Sequence, residues 1–209
     1  ARDALNSATS FNQSREQHGL HTFVYSYITW GVVRRVLRNW LKLTFISFRL
    51  RGIQEAFRPR GSHFSLWPLM KDDWLTSLRG PVAISNLLWI ELFDAALGDL
   101  PHQQTGLYLC ENQGWERAFI HAWRKFGHGR LIAVTHTTIR FWDLRYFIDL
   151  RTLKSSDDHK IPKPDLTALN GKQAVNAYLS VNFPKEEIVE CEALRFGYLT
   201  NLRARMKSR

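Results

Sequence analysis

The sequence predicts an α/β domain built on a parallel β-sheet, and three observations predict it. Residues 105–112, TGLYLCEN, have the pattern of a short strand. In residues 115–126, Trp115, Ala118, Phe119, Ala122, Trp123 and Phe126 fall at spacings 0, 3, 4, 7, 8 and 11, the signature of one helix face. Residues 130–136, RLIAVTH, form a second strand pattern after the GHG helix stop at 127–129. Strand, helix and strand in some thirty residues make a βαβ unit, whose parallel pair requires a right-handed crossover.

The remaining elements follow from local patterning. Residues 1–20 read as a polar, frayed leader. In TWGVVRRVLRNWLKLTFISFRL, Val33, Val36, Leu37, Trp40, Leu41 and Leu43 recur at helical spacing with Arg34, Arg35, Arg38 and Lys42 between them. This is a basic amphipathic helix over 32–48, which either packs a core and solvates its basic face or lies on a membrane surface. Pro59, Gly61 and Pro68 break the following stretch, which reads as loop. GPVAISNLLWIELFDAALGDLP reads as one helix, with Pro81 in its first turn and Gly98 and Pro101 ending it. Its apolar residues run nearly all round, so it is expected to be well buried. DLTALNG, 165–171, is a third strand, followed by a helix at 172–180. The rest is read as mixed helix with a basic tail. No internal repeat or low-complexity segment appears.

Composition narrows the function classes. A chain of 209 residues with 44% hydrophobic content buries a real core. The net charge of +10 points to anionic partners: nucleic acid, anionic lipid or phosphorylated small molecules. The charge is uneven, since residues 34–60 are dense in Arg and Lys and carry one acid, Glu55. Cys110 and Cys191 make neither a disulfide scaffold nor a metal site, and a reducing compartment fits them. The N-terminal stretch has no apolar core of a signal peptide, and no run of about 18 apolar residues suggests a transmembrane helix. Because the first residue is Ala, the chain is expected to be a piece of a longer protein.

Chemistry is expected beyond the carboxyl ends of the strands, where parallel α/β sheets bind their ligands. Glu111 and Asn112 end the first strand, His136, Thr137 and Thr138 the second, Asn170 and Gly171 the third. The helix near Trp115 turns its positive N-terminus to the same rim, which suits an anion or a sugar hydroxyl. Glu111 is either a helix-capping carboxylate or a site acid or base, and Asn112 fits a turn or cap. His136 serves a site or a structural hydrogen bond. His121 and His128 are weak candidates, one mid-helix and one in a stop signal. Asp143 either joins the site or pairs with Arg140 or Arg145, while Phe141, Trp142 and Tyr146 pack. A serine–histidine–acid order, a phosphate loop, a GxGxxG fingerprint and RRM or KH signatures are all missing from the sequence.

The stretch YLCENQGWERAFIHAWRKFGHGRLIAVTHTTIRFWDLRYF resembles a bacterial family of surface-carbohydrate biosynthesis proteins, associated with O-antigen and related polysaccharides. The family's E-N-Q-x-W-E segment corresponds to Glu111, Asn112, Gln113, Trp115 and Glu116. Its H-S-T-x-R-F-W-D-L-R-Y-F segment corresponds to His136, Thr137, Thr138, Arg140, Phe141, Trp142, Asp143, Leu144, Arg145, Tyr146 and Phe147, with Thr137 in place of serine. WPLMKDDWLTSLRG, PDLTALNG and ECEALRFGYL also look like family segments, so the resemblance runs from about residue 65 onward.

The resemblance implies a Rossmann-like three-layer domain with a parallel sheet, like the N-terminal half of a GT-B glycosyltransferase. Residues 1–64 would form the leader, the basic helix and a loop, and residues 65–209 the Rossmann-like domain. It implies an acceptor-side domain in bacterial surface polysaccharide biosynthesis, cytoplasmic or peripheral on the inner membrane. Glu111 or His136 would be the general base. Asn112, Gln113, Trp115, Glu116, Thr137, Thr138, Arg140, Trp142, Asp143, Arg145 and Asn170 would bind substrate, the two arginines neutralising phosphate and Trp115 or Trp142 stacking on sugar. The partner would be a sugar or lipid-linked sugar acceptor; an anionic membrane surface engaged through residues 32–48 rests on the basic amphipathic pattern of that helix, which lies outside the resemblance. The chain would hold no cofactor and no metal; a nucleotide-sugar donor would bind a C-terminal domain outside it. A non-catalytic binding or scaffolding module of the same pathway is the rival reading. Nucleic-acid binding rests on charge alone and ranks last.

Overall fold

A computed structural model describes residues 2–13, 20–50, 52–135 and 161–192. The chain divides into two units, residues 1–101 and 102–209. The division falls after Pro101 rather than at the 64/65 boundary inferred from the resemblance. The reason is packing: the helices on either side of residue 65 contact one another within the first unit.

The first unit is helical. Helix α1 (Arg2–Gln13) stands where a frayed leader was expected. Helix α2 (Trp30–Ser47) is the basic helix. Thr29 caps it by accepting from the Val32 amide at 3.3 Å. Helix α3 (Trp67–Arg79) replaces the expected loop. Pro68 has the look of a breaker in the sequence, but it lies in the first turn, where its missing N–H leaves no hydrogen bond unmade. Helix α4 (Pro81–Asp99) begins at Pro81 for the same reason.

Val32 and Val36 of α2 are buried with Leu92 of α4, and Leu87, Leu88, Trp89, Val24 and Tyr27 pack around them. Trp40 Nε1 donates to the Arg79 carbonyl at 2.8 Å, and Arg35 pairs with Glu91, tying α2 to α3 and α4. The sequence suggested no membrane-spanning segment, yet α4 is long and apolar enough to cross a membrane by length and composition. Core helices of soluble proteins pass the same test, and α4 carries Glu91 and Asp94. It is also less buried than its all-round apolar surface suggested, because Val82, Ile84 and Ile90 stay exposed.

The second unit is the predicted α/β domain. Its described strands are β1 (Thr105–Cys110), β2 (Arg130–Thr135), β3 (Leu166–Asn170) and β4 (Ile188–Cys191), in spatial order 1-2-3-4 and parallel throughout. Helix α5 (Gly114–Lys125) joins β1 to β2, and α6 (Lys172–Ser180) follows β3. Strand β4 corrects the reading of mixed helix near the end. The stretch IVEC is short but begins with two β-branched residues beside an open strand edge.

Residues of alternate parity divide the sheet's faces. Gly106, Tyr108 and Cys110 turn toward α5: Tyr108 meets Trp115 and Phe119 edge-on, and a Cβ on Gly106 would lie 2.5 Å from the Trp123 ring. Leu107 and Leu109 point to the other face and are exposed. Right-handed crossovers that all step the same way place their helices on one face. The described strand order contains no reversal, so the strand ends themselves, not a topological switch point, define the rim.

Candidate functional site

The register aligns the carboxyl ends of all four strands. Cys110 pairs with Thr135, Val134 with Ala168, and Asn170 with Cys191. The carboxyl ends of β1, β2 and β3 therefore lie along one edge of the sheet, and α5 and α6 begin there with their amide-bearing N-termini.

The first segment is a tightly held turn. Asn112 adopts φ 56°, the left-handed conformation that asparagine tolerates better than most residues. Glu116, in the first turn of α5, is buried, and its Oε1 accepts from the amides of Glu111 and Gln113, each at 2.8 Å. The Gln113 contact is one half of a capping box. Glu116, grouped with the substrate-binding residues by resemblance, thus holds the backbone that presents Glu111, Asn112 and Gln113. Glu111 and Asn112 are half-buried, Gln113 is exposed and Trp115 is half-buried against Tyr108.

Beneath the turn lies a buried polar cluster. Burial, then the neighbouring Glu116 carboxylate, pushes the Cys110 thiol up to about 12, despite a hydrogen bond from the Asn112 backbone and the charge of Arg117. The thiol is therefore neutral and unreactive at physiological pH. Burial, followed by Cys110 and Glu116, likewise raises the Tyr108 hydroxyl well above its ordinary value. Arg117 Nη1 donates to the Pro162 carbonyl at 2.6 Å, and Lys163 pairs with Glu187 at 2.5 Å. The cavity among these groups has a volume of about 30 Å³. That is the space of one water molecule, far below a sugar.

Asn170 links three strand ends. Its Nδ2 donates to the Thr135 carbonyl at 2.9 Å, and the Cys191 thiol donates to its Oδ1 at 3.8 Å. Thr135 Oγ1 donates to the Ala168 carbonyl at 3.1 Å. Gly171 takes φ 82°, which turns the chain from β3 into α6 and lets its amide reach the Leu169 and Cys191 carbonyls, both at 2.9 Å. Two of these groups, Arg117 and Cys191, carry no signal in the sequence, because their partners come from distant segments. His136, Thr137, Thr138, Arg140, Trp142, Asp143 and Arg145 lie outside the described residues.

The weak histidine candidates are far from this rim. His128 is buried just before β2 begins, its Nδ1 accepting from the Gln103 amide at 3.2 Å and its ring 4.7 Å from Trp123. His121 is exposed on α5. Among the described residues no group of three or more His, Cys, Asp or Glu side chains is arranged to hold a metal ion.

No family model, no curated protein and no solved structure matches this chain.

Proposed function

We propose that this chain is the acceptor-side domain of a glycosyltransferase-like protein of bacterial surface polysaccharide biosynthesis. One observation carries the reading. The E-N-Q-x-W-E segment begins immediately after β1 and the H-T-T-x-R-F-W-D-L-R-Y-F segment immediately after β2, and β1 and β2 are adjacent, parallel and in register at Cys110 and Thr135. Two segments distant in sequence but both rich in polar and aromatic groups therefore start side by side, beyond the strand ends where such sheets bind ligands.

The chemistry is base-assisted transfer. Glu111 or His136 takes the proton of an acceptor hydroxyl as its oxygen attacks the anomeric carbon of a donor sugar, and the nucleotide phosphate departs with the bonding pair. Arg140 and Arg145 offset phosphate charge, and Trp115 or Trp142 stacks on a sugar ring. Asn112, Gln113, Thr137, Thr138 and Asp143 supply hydrogen bonds to hydroxyls. The nucleotide-sugar donor binds outside this chain.

A non-catalytic scaffold of the same pathway is the second reading. It is favoured by Glu116 and Asn170, two motif residues whose side chains hold backbone rather than face solvent.

Amide NMR of the chain, titrated with a short polyprenyl diphosphate carrying one sugar, tests the acceptor role. Shifts concentrated at residues 111–113 and 170–172 are expected. Saturation without shifts at those amides would defeat it.

A further inference from the structure

Helix α2 has two apolar sides, and its core explains only one. Val32 and Val36 bury one side against Leu92 of α4. By the helix's 3.6-residue winding, Trp30, Leu37, Leu41, Phe45 and Phe48 lie on the opposite side. These five large side chains are between 49% and 87% exposed. A helix that packs on one side normally presents polar residues on the other. Here a stripe roughly 27 Å long, the length of 18 helical residues, stays open over Trp30, Leu37, Leu41 and Phe45, while Phe48 at its end carries the Arg79 guanidinium 3.8 Å from its ring.

The charges beside the stripe identify what covers it. Arg34 sits within it, and Arg38, Lys42 and Arg49 line one flank. No acidic residue occurs in α2. Among the described residues Arg34, Arg38 and Lys42 take part in no ion pair, whereas Arg35, nearer the core side, pairs with Glu91. The Arg49 guanidinium lies 4.7 Å from the Phe45 ring, so that cation and aromatic group share one surface. A protein partner would have to supply a complementary acidic groove of this length. A second copy would set cation against cation in any close antiparallel contact. An anionic lipid surface meets both demands at once, with phosphates for the cations and acyl chains for the aromatic and leucine side chains.

We propose that α2 is a monotopic docking helix that lies in the plane of an anionic membrane. Leu37, Leu41 and Phe45 enter the acyl boundary, Trp30 anchors at the headgroup level, and Arg34, Arg38, Lys42 and Arg49 bind lipid phosphates. This inference goes beyond the acceptor-side reading and stands or falls independently of it.

Vesicle flotation of the full chain tests the inference. The probes are vesicles of phosphatidylcholine alone and of phosphatidylcholine with 30% phosphatidylglycerol, at about 0.05 M and 0.5 M salt, where screening differs severalfold. Strong binding to the anionic vesicles at low salt is expected, with release at high salt. Neutralising three cations in R34Q/R38Q/K42Q should weaken binding roughly a hundredfold, at about 1 kcal/mol per charge. Leu41→Ser with Phe45→Ser should weaken it at least about tenfold through lost apolar burial. All five positions are exposed, so the circular dichroism melt should match that of the unsubstituted chain. Equal binding to both vesicle types, or binding to neither, overturns the proposal. So does a concentration-dependent dimer, without vesicle binding, that Leu41→Ser with Phe45→Ser dissolves; the stripe would then be an interface between copies. Phosphate-bearing lipid and free phosphate are distinguished by adding inorganic phosphate at matched ionic strength, which should not displace the chain.

Discussion

Glu116 holds the backbone amide of Glu111 at 2.8 Å, reaching from the first turn of α5 to the residue that opens the E-N-Q segment at the rim. The same oxygen accepts from Gln113, so one buried carboxylate fixes the whole turn. Replacing Glu116 with Ala leaves two amides without their acceptor. It should cost about 2–3 kcal/mol in urea denaturation, because hydrogen bonds to charged groups are the stronger class. Glu116→Gln keeps an oxygen and should cost about 1 kcal/mol. A loss below about 0.5 kcal/mol for Glu116→Ala would show that water replaces the carboxylate and that the turn is not held this way.

Gly106 and Trp123 should behave as a coupled pair. A Cβ at Gly106 would meet the Trp123 ring at 2.5 Å and Leu131 at 2.9 Å, both under van der Waals contact. Gly106→Ala should therefore cost about 1–3 kcal/mol through overpacking. Trp123→Ala removes a buried ring and its 2.7 Å hydrogen bond to the Gly129 carbonyl, and should cost about 3–5 kcal/mol. Combined, the two changes should cost at least about 0.5 kcal/mol less than their sum, since the alanine methyl enters the cavity. Strict additivity in thermal or urea melts would show that the two sites do not touch.

Cys110 should resist alkylation. Its thiol is pushed up to about 12, so in native protein at pH 8 iodoacetamide should modify Cys191 first and Cys110 only after urea is added. The linkage has a definite sign. The folded value lies above the ordinary 9.0, so the neutral thiol's contribution is whole below about pH 9. It fades as pH rises toward 12, where the unfolded chain has ionised and the folded one is only beginning to. Relative to Cys110→Ala, the unsubstituted chain should lose stability over that window. Fast alkylation of Cys110 at pH 8 in native buffer would contradict the burial.

The α/β unit was legible because its signals are local and periodic. The six apolar positions of residues 115–126 fix a helix, and Gly127 with His128 and Gly129 stops it before β2. The misread elements are those whose reason lies elsewhere in the fold. Pro68 signals a break in sequence, yet at a helix start it costs nothing. IVEC is too short to declare itself and becomes a strand because β3 offers an open edge. At the rim, spacing brought Glu111 and Asn170 to the correct edge. It could not reveal that Glu116 folds back on residue 111 or that Asn170 bridges to Thr135, because those bonds depend on where the backbone carries them.

The proposed acceptor role is tested most directly by surface polysaccharide in cells carrying Glu111→Gln or His136→Ala in this gene. Glu111→Gln leaves intact the backbone amide that Glu116 binds, so the protein should accumulate at its normal level. If one of these residues is the general base, transfer falls by about 10²–10⁴-fold with one of the two substitutions, and the polysaccharide ladder disappears from gels of that strain. A normal ladder with both substitutions combined, in cells whose ladder is lost when the gene is deleted, would contradict catalysis at this rim and leave the chain as a scaffold of the pathway.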